Sequence, residues 1–376
     1  MKRTIFLRLA AGTLLLAASF FAGGCRPPAS GIESEINIPS LKDVCAPYFE
    51  IGAAVEPYQL SSMPHDALLQ KHFNSIVAEN VMKPVSLQPS EGYFNWTEAD
   101  KIVNYAKAHG MKLRFHTLVW HNQVPDWFFE GNDKNLLLQR LEKHIRTIIQ
   151  KYGDKVDYWD VVNEVIDPSQ PDGMRRSKWY LIAGKDYIKT AFRVADNELT
   201  KHGWRKKGSQ LYINDYNTHL ETKRNGLWNL IQELRQEGIP VDGVGHQTHI
   251  NIVWPSVKEI VDSIRFFGEK GLDNQVTELD VSIYTNTFSS YGSYEAIPRE
   301  LLLRQGYRYK ELFEGLKSVG NYISNVTFWG MADDHTWLDH WPIERPDAPL
   351  PFDIELKAKP AYWGIIEAGI SAGAVK

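Results

Sequence analysis

The sequence predicts a single (β/α)8 barrel as the fold of the chain. From Phe49 onward, short runs rich in β-branched and aromatic residues alternate with segments of helical periodicity, and there are eight such runs. Eight strand and helix units in about 330 residues are typical of a closed α/β barrel. Hydrophobic residues make up 43% of the 376 residues, which is ample for a core of this size.

The predicted strands are short and separated by helical segments. They comprise residues 49–55, 75–80, 112–119, 158–164, 211–216, 243–249, 275–281 and 325–330. Between the second and third strands, Thr97 begins a helix that Gly110 ends. Leu137, Leu141 and Ile145 lie on the apolar face of another helix, which ends at Gly153.

The first 24 residues predict an export signal. Lys2, Arg3 and Arg8 precede an apolar stretch that is rich in small residues and too short for a comfortable membrane span. Residues 22–25, Ala-Gly-Gly-Cys, resemble a bacterial lipoprotein cleavage site, at which Cys25 becomes the lipidated first residue. We expect an exported cell-envelope lipoprotein anchored at Cys25, and release by a signal peptidase as a secreted protein is the alternative.

The remainder of the chain divides into three parts. Residues 25–40 open with Arg-Pro-Pro-Ala-Ser-Gly and predict a flexible tether. Residues 41–370 predict one domain, and residues 371–376 a short tail. Cys25 and Cys45 are the only cysteines, so no disulfide framework is expected, although a bridge between these two is an alternative to lipidation.

The charge of the chain argues against nucleic acid as a partner. The whole chain has 42 basic and 46 acidic side chains, and residues 1–24 contain three of the basic ones and no acid. The remainder therefore has 39 basic and 46 acidic side chains, a formal charge of −7. No basic run or patch is visible in the sequence, which excludes the usual electrostatic signature of a nucleic-acid-binding protein.

Polar residues occur at the C-terminal ends of seven of the eight predicted strands. In strand order these residues are Glu79, Asn80 and Lys83; His116, Trp120 and His121; Asn163 and Glu164; Asn214 and Asp215; Gln247 and His249; Glu278 and Asp280; and Trp329, Asp333 and Trp337. The C-terminal strand ends of a barrel lie on one face, and burial of unpaired charges is costly. The pattern therefore indicates a polar groove on that face.

Glu164 and Glu278 are the candidate catalytic pair. Cleavage of a glycosidic bond needs one carboxylic acid to protonate the leaving oxygen and one carboxylate to meet the positive charge that develops on the sugar. Either glutamate taken alone would more often be a rim residue in a surface ion pair, and the polar residues at the neighbouring strand ends favour the catalytic interpretation. If the pair acts with retention of configuration, we expect the two carboxyl groups to lie about 5–5.5 Å apart.

Four segments closely resemble the motifs of glycoside hydrolase family 10, the retaining endo-β-1,4-xylanases. They are residues 79–83 (ENVMK), 114–121 (RFHTLVWH), 159–164 (WDVVNE) and 271–281 (GLDNQVTELDV). The resemblance extends from about Leu41 to about Gly369. It implies a (β/α)8 glycoside hydrolase domain with Glu164 as the acid/base on the fourth strand and Glu278 as the nucleophile on the seventh.

The resemblance also implies the substrate-binding residues. Glu79, Asn80 and Lys83 would bind the sugar two places toward the non-reducing end from the cleaved bond. The sugar whose bond is cut would be surrounded by His116, Trp120, Asn163, Gln247, His249, Trp329 and Trp337. Two positions depart from the family pattern, because Phe115 replaces a common Gly and Thr336 stands where Ser is frequent.

The resemblance implies xylan and xylo-oligosaccharides as partners and no cofactor. We expect the protein to be a monomer that contacts the membrane only through the lipid anchor.

Histidine pairs such as His246 with His249 could ligate a metal. Barrel hydrolases that use a metal usually have His-x-His on the first strand, however, and residues 49–55 contain no His, so we expect no catalytic metal.

Two alternatives remain open at the level of sequence. A β-1,4-glucanase or mannanase from a related barrel family would share the two glutamates, although Lys83, Trp329 and Trp337 favour a pentose. A non-catalytic surface glycan-binding lipoprotein would need neither Glu164 nor Glu278. Three tyrosines in the loop after the seventh strand could bind distal sugars or pack that loop, namely Tyr284, Tyr291 and Tyr294.

Overall fold

A computed structural model, which describes residues 37–370, contains a closed barrel of eight parallel strands. In chain order, strands β1 to β8 are Glu50–Val55, Ser75–Ala78, Lys112–Phe115, Tyr158–Asn163, Gln210–Asp215, Gly243–His246, Asp273–Ser282 and Ile323–Phe328. Gly52 of β1 is in register with Ser75 of β2 and with Thr327 of β8, so the first and last strands close the barrel. The (β/α)8 prediction is confirmed.

Helices connect the strands and cover the outside of the barrel. Helices α1 to α11 are Leu41–Cys45, Met63–His72, Pro84–Leu87, Thr97–Ala108, Lys134–Tyr152, Lys178–Ala183, Asp186–Lys201, Glu221–Gln236, Val257–Gly268, Arg299–Lys317 and Pro360–Ile370. None of the helices within residues 37–370 is long and apolar enough to cross a membrane. The predicted signal peptide, Cys25, most of the tether and the tail lie outside the described residues.

Both helices predicted from caps and periodicity are present. Helix α4 begins at Thr97 and buries Ile102 on its inner face. Helix α5 begins after Asp133, whose carboxylate accepts a hydrogen bond from the backbone N–H of Leu136 at 2.8 Å. Gly153 follows α5, and a Cβ atom there would lie 2.1 Å from the ring of Trp204, so only glycine permits this close packing.

Two predicted strands extend beyond the observed ones by more than two residues at the C-terminal end. The third ends at Phe115 rather than at residue 119, although Leu118 N–H still donates to the carbonyl of Asp160 in β4 at 2.9 Å. The sixth is interrupted after His246, because Thr248 adopts φ +60° and turns the chain. The chain then forms a short strand, His249–Asn251, that pairs with the C-terminal end of β7.

A buried polar cluster lies inside the barrel. Arg114 donates through Nε to Asp160 Oδ2 at 2.9 Å and through one terminal nitrogen to Gln275 Oε1 at 2.7 Å. Phe115, the next residue, is fully buried and stacks on Trp159 with the ring centroids 5.1 Å apart. Alternation along a strand sends Arg114 and Phe115 to opposite faces, so Phe115 belongs to the layer between barrel and helices.

Candidate active site

Glu278 lies near the C-terminal end of β7 and is held as a carboxylate. Its Oε1 accepts a hydrogen bond from Asn214 Nδ2 at 2.7 Å, and its Oε2 lies 3.0 Å from His249 Nε2. Burial by itself disfavours the ionised form, but the hydrogen bond from His249, the nearby His116 ring and Asn214 outweigh it, so the pKa of Glu278 is below its ordinary value. Glu278 is therefore suited to act as a nucleophile.

His249 lies between two acids. Its Nδ1 is 2.7 Å from Asp280 Oδ2, while its Nε2 faces Glu278. Burial favours the neutral ring, but the charge and hydrogen bond of Asp280, followed by those of Glu278, raise the pKa of His249 to about 10. The ring is therefore a cation that can donate from both nitrogens. Trp337 Nε1 donates to the same Asp280 oxygen at 2.8 Å.

Glu164 follows β4 and has a different environment. Its Oε1 accepts a hydrogen bond from Gln247 Nε2 at 3.1 Å, and its Oε2 lies 3.8 Å from His121 Nδ1. The Glu164 side chain is 14% exposed against 7% for that of Glu278, so water reaches Glu164 more readily. Burial, followed by the charge of Arg175, lowers the pKa of His121, although Glu164 opposes this. A neutral His121 does not act as an ionic partner of Glu164.

The backbone of Glu164 is strained. Its φ of +57° lies in the left-handed region, which costs a residue with a side chain about 1–3 kcal/mol. The strain persists only because neighbouring groups hold the peptide, and the N–H of Glu164 donates to the carbonyl of Asn214 at 2.9 Å. This turn places the Glu164 side chain beside Gln247.

A chain of amides connects the two glutamates. The side-chain amide of Asn163 lies 2.9 Å from Asn214 Nδ2 and 3.2 Å from Gln247 Nε2. Asn214 also binds Glu278, and Gln247 also binds Glu164. The predicted residues Asn163, Gln247, Glu164 and Glu278 are therefore brought together, and their positions relative to one another are fixed by hydrogen bonds.

Glu79, Asn80 and Lys83 form a second group at the end of β2. Asn80 donates to Glu56 Oε1 at 2.7 Å and accepts from Lys83 Nζ at 2.9 Å. Glu79 Oε2 lies 2.8 Å from His335 Nε2. Burial lowers the pKa of Lys83 below its ordinary value, although Glu278 and Glu79 oppose the shift. The group presents charged and amide donors and acceptors suited to sugar hydroxyls.

Aromatic residues surround the space between these two groups. The His116 ring packs edge-on against Trp329 with centroids 5.3 Å apart, and His249 packs on Trp337 at 4.9 Å. Lys83 Nζ lies 5.2 Å from the ring centroid of Trp120 and 6.0 Å from that of Trp329. All ten predicted binding residues are therefore connected to the two glutamates through a continuous set of side-chain contacts.

Sequence reasoning missed several residues of this site. Asn214, Asp280 and Asp160 were polar strand residues without an assigned role, yet each binds a site residue. A signal was present for Asp280, because residues two apart on a strand share a face and Asp280 follows Glu278 at that spacing. His335 lies in a loop, and no sequence pattern predicted its contact with Glu79.

The tyrosines of the loop after β7 pack that loop. Tyr284 is buried and stacks on Tyr291 at 5.6 Å, while the Tyr294 hydroxyl donates to Asp333 Oδ2 at 2.7 Å. Arg345 lies 3.7 Å from the centroid of the Tyr284 ring. These contacts favour packing over sugar binding for all three.

Among residues 37–370, one set of side chains has ligand atoms close enough to hold a metal ion. Glu56, Glu79 and His335 each offer one atom, and the three atoms lie within 4.8 Å of one another. They already bind each other or Asn80. A separate cavity of about 270 Å³, lined by residues such as Lys107 and Trp204, contains no residue of the groove.

The arrangement defines a class of protein. Two carboxylates lie at the C-terminal strand ends of a (β/α)8 barrel, one stabilised as an anion and the other beside an amide and a neutral imidazole, within an aromatic groove rich in hydroxyl-binding groups. This separation of acid and nucleophile environments is the arrangement of a glycoside hydrolase.

Comparisons with known proteins agree. The profile of Glycosyl hydrolase family 10 matches residues 40–368. Endo-1,4-beta-xylanase A of Halalkalibacterium halodurans is 49% identical over 373 residues, covering 91% of this chain and 92% of the relative. The crystal structure of xylanase B from Clostridium stercorarium F9 superposes with a TM-score of 0.83 at 48% identity, covering 88% of this chain and all of the other. An intracellular xylanase of Thermoanaerobacterium saccharolyticum, solved in complex with xylotetraose, has a TM-score of 0.77 at 44% identity and covers 88% of this chain and 98% of its own.

The chain therefore belongs to glycosyl hydrolase family 10.

Proposed function

We propose that this protein is a retaining endo-β-1,4-xylanase, which hydrolyses internal bonds of xylan by double displacement. The proposal depends chiefly on the different hydrogen bonding and exposure of the two glutamates. Both oxygens of Glu278 receive hydrogen bonds, from Asn214 and from cationic His249, whereas Glu164 has one donor within 3.1 Å and greater exposure. Similarity to xylanases over most of both chains supports xylan as the substrate.

In the first step, a carboxylate oxygen of Glu278 attacks the anomeric carbon while Glu164 gives its proton to the leaving glycosidic oxygen. The bond to the leaving sugar breaks, and a glycosyl ester of Glu278 forms. In the second step, Glu164 takes a proton from water, the water oxygen attacks the anomeric carbon, and Glu278 leaves as a carboxylate. Two inversions at one carbon give overall retention.

The remaining groove residues bind and orient the sugars. We assign Glu79, Asn80 and Lys83 to the sugar two places toward the non-reducing end from the cleaved bond. Their hydrogen-bonded group lies next to Trp120 and Trp329. The sugar at the cleaved bond then lies among His116, Trp120, Asn163, Gln247, His249, Trp329 and Trp337. Crowding by the tryptophans favours a ring without a hydroxymethyl group.

Substrate comparison tests the proposal directly. Products from arabinoxylan, mannan and carboxymethylcellulose would be separated by chromatography after equal exposure to the enzyme. We expect short xylo-oligosaccharides from arabinoxylan, including internal fragments, and little release from the other two. Faster hydrolysis of mannan or carboxymethylcellulose would identify a mannanase or glucanase, and no hydrolysis of any of the three would favour a glycan-binding protein.

We also propose that the protein is exported and anchored in the cell envelope through a lipid on Cys25. The basic residues and short apolar stretch before Ala-Gly-Gly-Cys support this placement. The tether 25–40 would then hold the barrel away from the membrane surface. We also expect the enzyme to act as a monomer.

A further inference from the structure

Arg175 lies against the backbone of the strained residue Glu164. The Nε atom of Arg175 donates to the carbonyl oxygen of Glu164 at 2.6 Å, and one terminal nitrogen donates to the Tyr216 hydroxyl at 2.8 Å. The backbone N–H of Arg175 also donates to the carbonyl of Val165 at 2.9 Å. Arg175 therefore binds two consecutive peptide units that begin at Glu164.

A second set of contacts holds the same turn from the side of β5. Asp215 Oδ2 accepts a hydrogen bond from the N–H of Ile166 at 3.2 Å, and Lys223 Nζ donates to the carbonyl of Ile166 at 2.9 Å. Asp215 and Lys223 are buried and form an ion pair at 2.8 Å, so their charges compensate each other. The Asp215–Lys223 pair fixes Ile166 without adding a net charge.

Arg175 differs from that pair in its electrostatics. Among residues 37–370, no carboxylate oxygen lies within 4.0 Å of its guanidinium nitrogens, whereas the adjacent Arg176 pairs with Asp172 at 2.9 Å. The half-buried guanidinium is therefore held by the Glu164 carbonyl and the Tyr216 hydroxyl and not by a close ion pair. Its replacement would release the Glu164 turn without leaving a buried carboxylate unpaired.

We propose that Arg175 is a positioning residue for Glu164, which holds the left-handed peptide and thereby orients the Glu164 carboxyl group for the hydrolysis of the glycosyl-enzyme. The inference rests on the proposed double displacement, in which Glu164 must act as a base in the second step. On a substrate whose leaving group needs no proton, only the second step depends on Glu164, so a misplaced Glu164 carboxyl group should slow that step alone.

Steady-state kinetics on an aryl β-xyloside with a good leaving group separate the steps, because its first step needs no proton from Glu164. In Arg175→Gln we expect kcat to fall about 10- to 100-fold while KM falls in parallel, since the glycosyl-enzyme accumulates. Added azide, which needs no general base, should restore most of kcat.

Two further variants complete the test. Arg176→Gln removes a neighbouring charge that pairs at the surface and should match the parent enzyme in kcat and KM. Arg175→Lys keeps a side-chain donor for the Glu164 carbonyl and should recover part of the loss. The proposal would be wrong if Arg175→Gln had the same kcat and KM as Arg176→Gln. It would also be wrong if kcat of Arg175→Gln fell with KM unchanged and without rescue by azide, or if Arg175→Lys were no more active than Arg175→Gln. Circular dichroism would confirm folding of each variant, and failure of the proposed function itself would appear separately, as absent xylan hydrolysis by the parent enzyme.

Discussion

His249 lies 3.0 Å from Glu278, with its second nitrogen 2.7 Å from Asp280. The cationic ring of His249 thereby pairs with two carboxylates. Asp280 is almost fully buried, and Glu278 faces the groove. Asp280 keeps the ring charged, and the charged ring keeps Glu278 ionised. This relay explains how a buried carboxylate remains available for attack.

Replacing His249 by Asn should shift the acid limb of the pH profile upward. Glu278 must be ionised to attack, and the variant loses the hydrogen bond and charge that lower the pKa of Glu278. We expect the acid limb of kcat/KM on an aryl xyloside to move to higher pH, with kcat/KM reduced about 100-fold at neutral pH. His340→Asn, at an exposed pair with Glu344, is the matched control and should leave the profile unchanged. An unshifted acid limb in His249→Asn would show that His249 does not keep Glu278 ionised.

His249 should also make the free energy of unfolding depend on pH in the alkaline range. The pKa of His249 is raised in the folded protein, so its contribution is complete below the unfolded value of about 6.5 and is lost as pH rises through about 10. The difference in free energy of unfolding between the parent and His249→Gln should therefore be larger near pH 6 than near pH 10. Urea unfolding at both pH values measures it, and a difference that grew with pH would contradict the charge assigned to His249.

Azide should separate the roles of the two glutamates. In Glu164→Ala the nucleophile survives, so azide attacks the glycosyl-enzyme formed from an activated aryl xyloside and gives the β-xylosyl azide. In Glu278→Gly no covalent intermediate forms, and azide entering the vacated space gives the α-azide. Proton NMR distinguishes the two anomers. The same anomer from both variants, or the reverse pattern, would show that the roles are assigned wrongly.

Breaking the buried pair inside the barrel should be costly. Arg114→Met leaves Asp160 buried without its main cationic partner, and such losses typically amount to about 3–5 kcal/mol. Urea denaturation should report that loss of stability. Lys101→Met removes an exposed pair with Glu98 and should change stability by less than about 0.5 kcal/mol. Equal denaturation midpoints for the two variants would mean that the barrel interior tolerates an uncompensated Asp160.

Cys25→Ser tests the proposed anchor. Without the thiol, lipidation cannot occur, so we expect the enzyme to leave the membrane fraction or to remain unprocessed. Cys45→Ser is the control, because Cys45 is buried at the end of α1 and should not affect fractionation. Fractions would be compared by xylanase activity and by immunoblot. An unchanged distribution for Cys25→Ser would reject lipidation at this residue.

Much of the groove could be predicted from sequence because a barrel converts chain order into position. Once eight strands are recognised, the residues at their C-terminal ends must meet on one face, so Glu164 and Glu278 could be paired without knowing a distance. Element boundaries were less predictable. The interruption after His246 depends on Thr248 adopting a positive φ, which is unusual for a β-branched residue and has no sequence signal.

The sequence by itself determined the fold class, the identity of the two catalytic candidates and most of the polar groups around them, because hydrophobic periodicity and strand-end composition are local properties. Only the tertiary structure decided which glutamate receives two donors, that His249 is shared with Asp280, and that Arg175 holds the Glu164 peptide. Those relationships join segments from different strands and loops. Charge and hydrogen bonding depend on distances of a few ångströms, which chain order does not specify.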